Sequence, residues 1–469
     1  MNIILIVFDS LRKDCINAYG KPFWGKLYTP HFDSFFEESI IFTSAFPESL
    51  PTLPARRALY TGRRVYPFFN GDIKLKGDFV GAAGWGPIPE DQPTISELLR
   101  ETGYRTALIS DVYHMFKPSK NFWRGFDQWT FLRGQETDPA RSGPRLTQKE
   151  IDYWLPKHLQ NEGSIKFIQQ CIMNMHDRWQ EEEFFAPRVL REASKWLTQN
   201  YDAEKFFLVV ESFDPHEPWL VPSYYRKMYL QEDGQEQIKS GYSEEQLGKY
   251  LLRRTQANYS GEVSMCDRWF GYFMETMRVM GLLENTIVIL TADHGHSIGD
   301  RGYMGKRGYP SMPEVYEIPL MIRMPGAKYK GKTSDVIVQH HDISCEILNL
   351  AKVKDKPDID GKPFIEGALK GKKIREHATV GWGANPTVIT DDWWLNFKMD
   401  MTGALLYRRK GKDAFKTNHA QKHPEIVKKL MKIAIEDAGG NFPEWLVELA
   451  KKQQDAPGCS ELASRGKVS

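Results

Sequence analysis

Four short runs of the chain, residues 3–8, 105–109, 206–210 and 286–290, are apolar almost throughout. Unbroken hydrophobicity, in place of alternation, marks strands buried on both faces, as in a parallel sheet covered by helices. Helical periodicity predicts helices over residues 187–200 and 259–281. The second carries Met265, Trp269, Phe273 and Met277 at i, i+4 spacing, a stripe that reads as core. Strands alternating with helices predict an α/β fold: a large mixed, mostly parallel sheet sandwiched by helices. Residues 134–183 are charged and carry no strand signal, so they read as an insertion able to roof a site. Beyond about residue 370 the pattern changes to short strands (387–389, 393–398, 404–407) and one helix (424–438). This predicts a main α/β domain over 1–370 and a smaller C-terminal α+β domain over 371–469, with a frayed tail after Asp455.

Each apolar run stops at polar side chains. Asp9 and Ser10 follow the first, Asp111 and His114 the second, Asp214 and His216 the third, and Asp293, His294 and His296 the fourth. In open α/β sheets ligands bind at the carboxyl ends of strands, so these endings predict an active site on one rim. Residues 51–63 read as a hydroxyl, Thr52, at a helix N-terminus, with Pro54 in the first turn and Gly62 as the stop. That position stabilises an anion or an alkoxide, although a hydroxyl there serves equally as an ordinary cap. Asp9, Asp293 and His294 supply two hard carboxylates and an imidazole, a set suited to one divalent cation with Thr52 completing the shell. These ligands meet only if the sheet brings the first and fourth runs together. His296, His340, His341 and Asp342 offer a second set, and if residues 340–341 are extended only one of the two adjacent histidines faces the site.

Composition narrows the partners. The 469 residues are 41% hydrophobic and 13% aromatic, the balance of a globular protein, and 63 Lys and Arg against 61 Asp and Glu leave a net charge of +2. No bulk field favours nucleic acid, so any anion selectivity must be local. The first apolar run is too short for a membrane span or a signal-peptide core. Five scattered cysteines without a C-x-x-C spacing read as reduced thiols, not as a disulfide frame or a zinc site. A cytoplasmic protein that acts on a small anionic molecule is expected, with neither nucleic acid nor membrane as partner and homo-oligomerisation left open.

Several segments, in order and spacing, resemble the sulfatase family of the alkaline phosphatase superfamily. They include Asn2 to Asp9, Thr52-Leu53-Pro54-Ala55-Arg56 through Thr61-Gly62-Arg63, Gly103-Tyr104-Arg105, Gly125-Phe126-Asp127, His216-Glu217-Pro218-Trp219, Thr291-Ala292-Asp293-His294-Gly295 and Gly305-Lys306. The resemblance implies that Asp9, Asp293, His294 and Thr52 hold one divalent metal ion (calcium, manganese, magnesium or zinc). It places Thr52 at the nucleophile position and gives Arg56 the task of holding nucleophile and anion. His216 and Lys306 would bind the ester oxygens and assist the leaving group, and His114 is a further substrate-binding candidate.

Two departures from the family pattern matter. Sulfatases usually carry Cys or Ser at the position of Thr52, converted to formylglycine. A threonine β-carbon bears a methyl group, so no formylglycine is expected and the hydroxyl must attack directly. Where many relatives have a further acidic or amide residue after the first aspartate, this chain has Ser10. The expected function is a metal-dependent hydrolase of sulfate or phosphate esters, with phosphodiester or phosphonate monoester cleavage favoured. The alternatives are a sulfatase that works without formylglycine and a non-catalytic anion- or glycan-binding relative.

Overall fold

A computed structural model describes residues 1–69, 82–118, 120–232, 248–355, 357 and 359–453. Eight strands form the main sheet: β1 Asn2–Phe8, β2 Ile40–Phe42, β3 Arg105–Ser110, β4 Gln128–Phe131, β5 Phe206–Ser212, β6 Thr286–Ala292, β7 Leu320–Arg323 and β8 Thr333–Ser334. Their order is β8-β2-β7-β6-β1-β5-β3-β4. The stretch from β6 to β4 is parallel, whereas β7 runs antiparallel to both of its neighbours. The four apolar runs are therefore the four adjacent strands β6, β1, β5 and β3. Strand β1 pairs directly with β6, with Phe8 opposite Ala292, so Asp9 and Asp293 leave the sheet side by side. On its other edge β1 pairs with β5, with Phe8 opposite Ser212.

Helices cover this sheet: α1 Pro30–Glu37, α2 Thr52–Thr61, α3 Gln148–Trp154, α4 Glu162–Met175, α5 Phe185–Asn200, α6 Lys249–Val279 and α7 His340–Leu350. The stripe Met265, Trp269, Phe273 and Met277 on α6 is buried in the main core, as its spacing predicts. In the insertion Thr147 caps α3 and Asn161 caps α4. The two helices close over a small apolar cluster of Ile151, Leu155, Ile168 and Cys171. Cys15, Cys171, Cys266 and Cys345 are free and buried, and Cys459 lies outside the described residues.

Residues 340–341 open a helix and are not extended. The reason is a reciprocal cap: the Asp342 carboxylate accepts from the Gln339 backbone N–H (2.8 Å) while the Gln339 side chain caps the first turn.

The C-terminal part is a second, antiparallel sheet in chain order: β9 Ala378–Trp382, β10 Asn385–Ile389, β11 Trp393–Asn396 and β12 Leu405–Arg408. Helix α8 Pro424–Asp437 covers it, packing Val427, Leu430, Met431 and Ala434 on Val388, Leu395, Phe397 and Leu406. This sheet braces the approach to α2, because Leu50 N–H donates to Gly381 O (2.8 Å) and Gly381 N–H donates to Glu48 O (3.0 Å). The tail beyond Gln453 lies outside the described residues.

Asp437, at the end of α8, ties the second sheet to the segment after α2. Its Oδ2 accepts from Thr379 Oγ1 (2.5 Å) and His377 Nε2 (3.2 Å) and lies 3.4 Å from Arg64 Nη1. Burial pushes its carboxyl up, but His377, Arg64 and Thr379 outweigh burial and hold it at about 2. A depressed carboxyl stabilises the fold above its unfolded pKa, and the contribution is lost as pH falls through the folded value. Asp437→Asn should therefore cost about 2 kcal/mol at pH 7. The gap between variant and native chain should narrow toward pH 3, as urea denaturation at the two pH values would show.

Candidate active site

Helix α2 starts one residue after Pro51, which stands at the N-cap without any side-chain cap, and it stops at Gly62, whose φ of 67° a residue with a Cβ rarely adopts. Thr52 is the first helical residue and is buried, and among the described residues its hydroxyl has no hydrogen-bond partner. The ordinary capping role is thus not the one Thr52 plays. One turn on, the fully buried Arg56 draws the site together. Its Nη1 reaches Asp293 Oδ2 (2.5 Å), Asp9 Oδ2 (3.0 Å) and the backbone oxygen of Thr52 (3.2 Å). Its Nε donates to Glu211 Oε2 (2.9 Å), and its Nη2 is buried without a hydrogen-bond partner. Burial works against this guanidinium charge, and Glu211, Asp293 and Asp9 more than restore it. Removing Arg56 from this buried set costs about 3–5 kcal/mol, because three carboxylates are then left uncompensated.

Asp9, Asp293 and His294 each offer one ligand atom, and these atoms lie within 4.8 Å of one another. His294 Nδ1 donates to Gly295 O (2.9 Å), which leaves Nε2 as the bare lone pair. That atom is buried without a hydrogen-bond partner, 3.4 Å from Asp293 Oδ2. Burial, seconded by Lys306, lowers His294 to about 3, so the ring is neutral and able to bind a cation. Burial and the neighbouring Asp293 raise Asp9. Two carboxylates that repel each other beside an orphaned imidazole nitrogen fit a divalent cation, and Arg56 alone does not satisfy them.

Ser10 turns both carboxylates toward this point. Its Oγ donates to Asp9 Oδ1 (2.8 Å) and its N–H to Asp293 Oδ1 (3.0 Å), leaving Oδ2 of each to face Arg56. The sequence showed Ser10 only as a missing charge; the structure makes it the residue that orients two others. Gly295 is required at the same turn, since a Cβ there would meet Glu314 O at 2.1 Å.

His216 and Lys306 meet across the site. Glu217 O lies 2.9 Å from His216 Nδ1 and, being a carbonyl, accepts its proton, so Nε2 accepts from Lys306 Nζ at 2.8 Å. The proton-bearing group of the pair is therefore the ammonium. His114 sits against the Tyr113 ring (3.9 Å between centroids) and edge-on to Trp85 (5.0 Å). Burial, with His216, Lys117, Lys306 and Arg56, lowers its pKa well below the ordinary value.

Two acidic residues escaped the sequence reading. Glu211 is the carboxylate that follows the apolar run of strand β5, and that position was its available signal; burial raises it to about 7. Glu136 comes from the insertion, where no periodicity marks it, and accepts from Tyr113 Oη (2.5 Å). The insertion is anchored next to it by Gln135, whose amide donates to both Asp111 Oδ2 (2.8 Å) and Asp214 Oδ1 (2.7 Å). The second set of metal candidates is not gathered. His340 Nε2 pairs with Ala292 O (3.0 Å), Asp342 caps α7 and pairs with Arg375, and His296 faces Glu217. Among the described residues the one group of three or more His, Cys, Asp or Glu placed to hold an ion is Asp9, Asp293 and His294. No helix among them is long and apolar enough to cross a membrane.

Residues 1–353 match the family model described as Sulfatase. An arylsulfatase of Clostridium perfringens is 25% identical over 394 residues, covering 78% of this chain and 78% of its own. A multifunctional alkaline phosphatase superfamily protein of Trinickia caryophylli is 24% identical over 421 residues, covering 79% and 77%. The fold is shared with the phosphonate monoester hydrolase of Agrobacterium radiobacter, with a TM-score of 0.69 at 18% identity, over 93% of this chain and 95% of that one.

Proposed function

Because this chain belongs to the sulfatase family, whose members hydrolyse sulfate or phosphate esters, we propose that it does so with unmodified Thr52 as nucleophile, and that phosphate diesters or phosphonate monoesters are its better substrates. The observation that carries this reading is the hydroxyl of Thr52. It belongs to a buried residue, has no hydrogen-bond partner among the described residues and stands at the positive end of α2, in the residue whose backbone oxygen accepts from the guanidinium that also holds Asp9 and Asp293.

A divalent ion held by Asp9, Asp293, His294 and Thr52 would supply positive charge for the hydroxyl and the ester oxygens. The dipole of α2 favours the alkoxide of Thr52. Arg56, through its unpartnered Nη2, faces the charge that gathers on the peripheral oxygens. Thr52 Oγ1 bonds to sulfur or phosphorus as the bond to the departing oxygen breaks, and that oxygen takes a proton from Lys306. His216 holds the ammonium in place and stabilises the group as it gives up the proton. Water then attacks the same centre, giving a proton to the now neutral Lys306 amine, and Thr52 leaves as the alkoxide.

The similarity to an arylsulfatase keeps sulfate esters in view, and one experiment separates the readings: matched aryl sulfate, phosphate monoester, phosphate diester and phenyl phosphonate substrates, each with several divalent ions. Metal-dependent turnover highest on the diester or phosphonate is expected. Turnover of sulfate alone would transfer the assignment to a sulfatase without formylglycine. Binding without turnover across the panel would make the chain a non-catalytic anion binder.

A further inference from the structure

The turn that follows β1 is held in an unfavourable backbone conformation. Ser10 is fully buried and has a φ of 61°, in the left-handed region that residues with a Cβ rarely adopt. In that conformation its N–H reaches Asp293 Oδ1 (3.0 Å) and its hydroxyl reaches Asp9 Oδ1 (2.8 Å). A serine free to choose returns to the right-handed or extended regions, which would turn both donors away from the carboxylates. Holding the turn in place takes a partner from outside it.

Tyr259, on α6, is that partner. Its hydroxyl donates to Ser10 O (2.9 Å) and accepts from Arg12 N–H (3.0 Å), so one phenol oxygen bridges the two backbone groups that flank Leu11. Among the described residues neither group is bonded to another part of the backbone. With its N–H tied to Asp293 and its C=O tied to Tyr259, Ser10 cannot rotate out of the left-handed region without losing both bonds. The phenol is fixed in turn, since Tyr259 is fully buried and the Trp219 ring stands edge-on to it, 5.7 Å between centroids. A buried tyrosine hydroxyl needs only one partner, and a chance pairing would not span both sides of a strained turn. We propose that Tyr259 is a positioning residue: its hydroxyl holds Ser10 in the conformation that aims Asp9 and Asp293 at the cation, so that α6 sets the affinity of a site to which it lends no ligand. This rests on the reading of Asp9, Asp293 and His294 as a cation site.

Calorimetric titration with manganese tests this on four proteins: the native chain, Tyr259→Phe, Ser10→Gly and the chain that carries both substitutions. Tyr259→Phe should weaken manganese binding roughly tenfold. Ser10→Gly loses the bond to Asp9 and also binds less tightly, but glycine takes the left-handed conformation at no steric cost, so in that background Tyr259→Phe should cost at most about twofold. Tyr66→Phe, which removes the hydroxyl that another buried tyrosine donates to Ala434 O (2.9 Å), should leave the affinity in place. The same factor in both backgrounds, or equal weakening in Tyr66→Phe, would overturn the proposal. Should Tyr259→Phe fail to fold, the doubly substituted chain decides: recovery of the fold by glycine supports the clamp, and failure to recover overturns it, because the phenol then supports the core and not this turn. A native chain that binds no manganese would sink the cation reading itself, and the proposal with it.

Discussion

Asp293→Asn is expected to bind a divalent cation at least about a hundredfold more weakly than the native chain and to lose turnover in parallel. The amide keeps the shape and the contact with Ser10 N–H but removes one of two anionic ligands. It also removes the repulsion that raises Asp9, so the cation-free protein has little reason to unfold. Arg56 keeps Asp9 and Glu211 as partners. Loss of binding with nearly unchanged melting of the cation-free protein is therefore the expected signature, read by calorimetric titration and thermal melting. Stoichiometric, tight binding in Asp293→Asn would remove this residue from the ligand set.

Thr52→Ala should lower kcat/KM by at least about a thousandfold, because it removes the hydroxyl proposed to form the covalent ester. Raising the cation concentration should not restore the rate, which distinguishes a missing nucleophile from a missing ligand. Thr52→Ser retains the hydroxyl at the N-terminus of α2 and should keep most of the rate. Acid quenching during turnover of the native chain should leave a phosphoryl or sulfuryl group on the peptide that contains Thr52. An equally active Thr52→Ala protein would exclude the residue from the mechanism.

The parts of this molecule that were legible in the sequence are those whose physics is local. β1, β3, β5 and β6 are buried on both faces, so their apolar runs are unbroken, and the polar residues that end them fall on one rim. That Asp9 and Asp293 are adjacent follows from the β1–β6 register, which the sequence supported only through the expectation of a parallel sheet. Strands β2, β7 and β8, of two to four residues, carry too little pattern to be read, as does β9 with Gly381 inside it.

Glu136 was invisible for a different reason: its place beside Tyr113 and His114 depends on the fold of the insertion, which Gln135 anchors to Asp111 and Asp214. The pairing of His340 with Ala292 O likewise depends on where α7 docks. The hydrogen bond between Lys306 Nζ and His216 Nε2 was also hidden, since it depends on the backbone oxygen of Glu217 holding the other ring nitrogen.

The central claim is that one cation sits between Asp9, Asp293 and His294 within reach of the hydroxyl of Thr52. Anomalous diffraction from crystals grown with manganese tests it most directly. One strong peak bounded by the Oδ2 atoms of both aspartates and by Nε2 of His294, with Thr52 Oγ1 in its coordination shell, is the predicted result. A peak elsewhere, or Arg56 filling that point with the Thr52 hydroxyl turned away, would contradict it.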